Sequence, residues 1–116
     1  MSQWKWNDVA LEIDMGDVNF QERFESAFEH MSDSENSLVK EGKLSDITRA
    51  YCKLFYDLFD DIFGKGTGEK LFDCKFSSTV CEDCYDSFIA FCNNQTVQIN
   101  KKRAQRFAKY GVKKRK

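Results

Sequence analysis

The sequence predicts a mainly α-helical protein: a small helical domain of about three principal helices with a short N-terminal strand or hairpin. Three observations carry that expectation. Apolar residues recur at three- and four-residue steps through most of the chain, the period of helices that bury one face. Proline is absent and glycine numbers only six, so little punctuates regular backbone. Eleven Phe, four Tyr and two Trp supply a core for 116 residues, a length that at roughly 100–200 residues per domain makes one domain.

Val9, Leu11 and Ile13 alternate with Ala10, Glu12 and Asp14, the period of a half-buried strand. Asp14-Met15-Gly16-Asp17 reads as a turn, after which Asp17 or Asn19 can accept from the free amides of a first helical turn; Asn19 and Glu22 also fit a capping box. The first helix is expected near residues 18–31, with Phe20, Phe24, Ala27, Phe28 and Met31 along one stripe. Residues 32–43 are polar, and read either as a loop or as a weak helix around Leu38 and Val39.

Ser45 opens the strongest pattern, a helix over 45–63. Ile47, Ala50, Tyr51, Leu54, Phe55, Leu58, Phe59, Ile62 and Phe63 line one side, and Asp57, Asp60 and Asp61 lie elsewhere on the wheel. Gly64 falls where a left-handed residue ends a helix, Gly66 and Gly68 turn the chain, and Glu69–Phe72 has room for one more helical turn. Thr79 with Glu82 gives a second capping box before a third long helix over 79–95, in which Val80, Cys81, Cys84, Tyr85, Phe88, Phe91 and Cys92 keep helical spacing. Its extension through Asn93-Asn94 is left open, with Ala104, Phe107 and Ala108 as a weak apolar stripe beyond. The expected core is Phe24, Phe28, Leu54, Phe55, Leu58 and Phe88.

The formal charge of −1 conceals a strong polarity. Residues 101–116 hold nine of the eighteen Lys and Arg and no carboxylate, which leaves −10 on residues 1–100. The chain therefore divides into a helical domain over 1–100 and a basic C-terminal tail over 101–116, expected to be separable from the fold. Lys101, Lys102, Arg103, Arg106 and Lys109, interleaved with Phe107 and Tyr110, suit an acidic partner surface. Nucleic acid is the less favoured ligand, because the acidic body repels it.

Cys74, Cys81, Cys84 and Cys92 include a Cys-x-x-Cys spacing, which zinc sites and redox motifs share. On one helix Cys92 lies about 12 Å along the axis from Cys84, too far to join it at one tetrahedral ion. The acidic pair between Cys81 and Cys84 disfavours a thiolate. Packing as small hydrophobes is therefore expected, with no metal and no cofactor. The single His30 leaves no metal-binding His pair, and its place near the end of the first helix suits a C-terminal cap. Gly64-Lys65-Gly66-Thr67-Gly68 follows a helix and lacks the Gly-Lys-Ser/Thr ending of a phosphate loop. No coherent nucleophile, acid–base pair or metal set emerges, so the protein is not expected to be an enzyme. Met1–Asp8 lacks the apolar centre of a signal peptide and no stretch approaches the roughly 20 apolar residues of a membrane span; a cytoplasmic protein is expected.

The segment FYDLFDDIFGKGTGEKLFD over residues 55–73, followed by Cys84-Tyr85-Asp86-Ser87-Phe88, resembles small tail-morphogenesis proteins of long-tailed phages and prophages of Gram-positive bacteria. The likeness covers roughly residues 8–95. It implies a tail assembly chaperone in the cytoplasm of the host bacterium, binding the tape measure protein and helping it meet the tail tube protein. The wide stripe from Ile47 to Phe63 adds the expectation that it shields apolar segments of the tape measure protein and oligomerises along it. The cysteine-rich helix and the long basic end depart from that pattern. Within this reading Phe55, Leu58, Phe59 and Ile62 are candidates for a partner-binding face, the alternative being that the whole stripe is internal core. A rival function is a small phage-encoded inhibitor that binds a host or defence protein through its acidic body.

Overall fold

The structure, a computed structural model, describes residues 2–38 and 40–110. It opens with an antiparallel hairpin of β1 (Ser2–Trp6) and β2 (Val9–Ile13), paired from Trp6↔Val9 to Ser2↔Ile13. The two residues between the strands, Asn7 and Asp8, both take left-handed backbone at φ 49° and 62°, as a tight hairpin turn requires and Asn and Asp tolerate. The sequence pattern allowed a strand or a hairpin here but gave residues only for β2. β1 alternates too, but only Trp4 is buried, and one inward residue makes a faint period.

Asp17 caps α1 (Val18–Asn36), its carboxylate accepting from the Phe20 amide at 3.0 Å. Asn19 already lies inside the helix, so the Asn19–Glu22 box is not what starts it. The helix runs five residues beyond the expected end at Met31, through polar turns that bury little and leave no apolar period to read. α2 (Leu44–Phe63) begins after Lys43, which makes no side-chain cap, and Ser45 lies within its first turn. Gly64 at φ 118° ends it, and α3 (Thr67–Phe72) follows within one short turn. A Cβ on Gly68 would stand 2.9 Å from the Tyr56 Cα, so glycine is what lets α3 lie directly on α2.

Ser77, and not Thr79, caps α4 (Ser78–Lys109). Glu82 instead accepts from the Tyr51 hydroxyl at 2.7 Å. The helix passes through Asn93-Asn94 without a break and includes residues 101–109. No backbone boundary therefore falls at residue 100; residues 111–116, the rest of the expected tail, and Val39 lie outside the described residues.

α1 runs back along α2. Phe20 meets Phe63 at 6.0 Å at one end, and Arg23 donates to the Ile62 carbonyl at 3.0 Å. α4 and the hairpin close the remaining side of α2. Trp4 stacks on Phe59 at 5.7 Å, and its indole N–H donates to the Ser87 hydroxyl at 3.0 Å. Leu54, Phe55, Leu58 and Phe88 are buried as expected, whereas Phe24 and Phe28 are only partly buried against that core.

Candidate functional site

The four α2 residues considered for a partner face are all interior. Phe55 is 4% exposed, Leu58 1%, Phe59 0% and Ile62 1%. Their stripe is wide because it faces α1, the hairpin and α4 at once, so Leu58, Phe59 and Ile62 are left with no surface for a partner and Phe55 keeps only an edge. The carboxylates on the other side of α2 also have protein partners. Asp57 pairs with Lys53 at 3.3 Å, and Asp60 accepts from the Gly68 amide at 2.8 Å, which satisfies the start of α3 and occupies the glycine-rich turn. Asp61 meets His30 Nδ1 at 2.8 Å. His30 is therefore a link from α1 to α2 and not a helix cap, because α1 continues past it. The hydrogen bond and charge of Asp61 hold its imidazole above the usual histidine range.

Cys52, Cys81, Cys84 and Cys92 are buried, and Cys74 is exposed on the turn after α3. Desolvation pushes the Cys81 and Cys92 thiols up to about 12 and raises those of Cys52 and Cys84. Such groups stay protonated at neutral pH and act as packing atoms. A thiol-alkylating reagent at pH 8 is expected to modify Cys74 alone in the folded protein and all five cysteines in denaturant, as mass spectrometry would read. Rapid native labelling of Cys81 or Cys84 would mean that the core opens.

The remaining candidates lie on α4. Its inner face carries Cys81, Cys84, Phe88 and Cys92, and then Gln95, whose amide accepts from the Met15 N–H at 2.6 Å and donates to the Ile13 carbonyl at 2.8 Å. Ile99 is the last partly buried residue. One turn on, the same face presents Lys102 and then Arg106. Charge in place of apolar side chains leaves the helix nothing to pack, and every described residue from 100 to 110 is exposed.

Lys101, Lys102, Arg103, Arg106 and Lys109 thus project beyond the body on a helical arm. Among the described residues none of them joins an ion pair. Arg103, Arg106, Phe107 and Tyr110 follow the steps i, i+3, i+4 and i+7 and so share one face. Phe107 is 41% exposed and Tyr110 68%. Positive charge at the C-terminal end of a helix favours the helix dipole, which helps the arm hold its shape without tertiary contacts. The sequence pattern singled out these residues and left open whether the third long helix reaches them; α4 does, running to Lys109.

Among the described residues no helix is long and apolar enough to cross a membrane. Residues 7–116 match a family described as Family of unknown function (DUF6673). No curated protein and no solved structure matches the chain significantly.

Proposed function

The chain belongs to the DUF6673 family, whose description gives no function; we propose, on the resemblance of residues 55–73 and 84–88, that it is a tail assembly chaperone that binds the tape measure protein during phage tail morphogenesis, in the cytoplasm of the host bacterium. The basic arm is the observation that carries a binding function. It holds five exposed cations and two exposed aromatic rings on a preformed helix, and a helix already ordered loses little entropy when a partner docks. Its ligand is an acidic, partly apolar protein segment. Nucleic acid is disfavoured by the −10 formal charge of residues 1–100, which makes the body as a whole repel phosphates. The tape measure protein is named on the resemblance of residues 55–73 and 84–88.

Co-expression tests this reading. The full chain is expected to keep its tape measure protein soluble, and a chain ending at residue 100 is expected to fold but lose most of that effect. Tape measure that stays insoluble, with a host defence protein recovered instead on the acidic body, would support the inhibitor reading.

A further inference from the structure

At the far end of α4 from the basic arm, α1, α2 and α4 enclose a groove of about 560 Å³. Its floor is aromatic. Phe55 and Tyr85 meet edge to face at 5.5 Å, and Phe28 lies 6.1 Å from Tyr85. Its rim is acidic: Glu35 comes from α1, and Glu82, Asp83 and Asp86 come from the first turns of α4. No basic residue lines it among the described residues. Such a site takes a cationic, amphipathic segment, because the carboxylates hold its charges while the rings accept apolar groups or the faces of guanidinium groups.

The chain carries a segment of that description itself. Arg103 and Arg106 flank Phe107 and Tyr110 on one helical face, so two cations and two rings meet four carboxylates and an aromatic floor. The groove cannot receive its own arm. Asp86 and Arg106 lie on one unbroken helix, about 30 Å apart along its axis at 1.5 Å per residue. We infer that the basic arm of one copy docks in the acid-rimmed groove of a second copy.

This contact joins two different surfaces, so a docked pair keeps one free groove and one free arm. Unless its rotation closes a ring, such a heterologous contact builds open rows and not closed dimers. Exposed charges dominate it, so it weakens as salt shortens their reach from about 30 Å at 0.01 M to about 8 Å at 0.15 M. The inference shares the arm with the tape measure reading, but its test needs only this chain, so either can fail without the other.

Sedimentation of the full chain over a range of concentrations reads it directly. At about 0.01 M salt the mass is expected to rise past that of a dimer, and association is expected to weaken about tenfold or more by 0.15 M. An Arg103→Glu/Arg106→Glu variant and an Asp83→Lys/Asp86→Lys variant are each expected to stay monomeric with unchanged helical circular dichroism. Glu82 is left intact because it accepts from Tyr51. Mixed together, the two variants are expected to associate again, since the unaltered arm of one then meets the unaltered groove of the other. Should a reversal disturb folding, Arg103→Gln/Arg106→Gln and Asp83→Asn/Asp86→Asn serve instead, each expected to weaken association of the folded chain. A wild-type chain that remains monomeric at low salt overturns the inference. So does a folded variant that associates like wild type, or a mixture of folded charge-reversed variants that stays monomeric.

Discussion

Phe88→Ala is expected to lower the free energy of unfolding by about 3–5 kcal/mol. Phe88 is fully buried and is the point where the separate elements meet. Its ring centre lies 5.2 Å from Phe59 on α2, 5.3 Å from Trp4 on β1, 5.9 Å from Phe63 and 6.0 Å from Phe24 on α1. Truncation removes the apolar transfer energy of the ring and leaves a hole whose walls are themselves rings. Rigid aromatic walls collapse poorly into such a space, and Trp4 is held in place by its hydrogen bond to Ser87, so the loss should fall toward the upper part of the range. Small domains are stable by roughly 5–15 kcal/mol, so the variant should be marginal at room temperature. Urea unfolding with an unchanged slope measures the loss. A value under about 1 kcal/mol would mean that the neighbouring rings close the hole, contrary to this packing.

Leu58→Ala is expected to cost about 2–5 kcal/mol, and the number decides between two uses of α2. Leu58 is 1% exposed, one turn from Leu54 and Phe55 and one turn from Ile62, all of them buried. On an exposed docking face the same change would cost under about half a kcal/mol and would weaken binding without affecting folding. In the interior it destabilises the protein while the arm, which shares no contact with it, keeps its affinity for a partner in whatever fraction remains folded. Chemical denaturation gives the first quantity, and binding measured at a fixed folded concentration gives the second. Loss of both in a stable variant would return the α2 stripe to the surface.

The three long helices and β2 were legible because each has a buried face, and burial writes a period into sequence. Asp14–Asp17, Gly64 and Gly66 were legible for a second reason: turn geometry restricts which residues can occupy it. Elements or extensions that bury little were read less well. β1 buries one residue fully, and the last turns of α1 and α4 are mostly solvated, so their ends depend on helix propagation, which costs little once a helix exists. Asn93-Asn94 looked like a possible break because Asn favours caps and turns, yet the backbone bonds continue through it and the Gln95 amide anchors the next turn to Ile13 and Met15.

By itself the sequence determined that the chain is helical, where its aromatic stripes fall, and that its positive charge gathers at one end, since all three are local properties of residue type and spacing. Only the tertiary structure decided what those features face. It placed Phe55, Leu58, Phe59 and Ile62 inside, because α2 is covered on several sides, and it set the limit of the body at Ile99, because from Lys102 onward the inner face of α4 offers charge with no apolar surface to bury. It also brought Glu35 beside Glu82, Asp83 and Asp86, residues from two helices far apart in the chain. Their common rim exists only because α1 folds back along α2 and α4 packs across both.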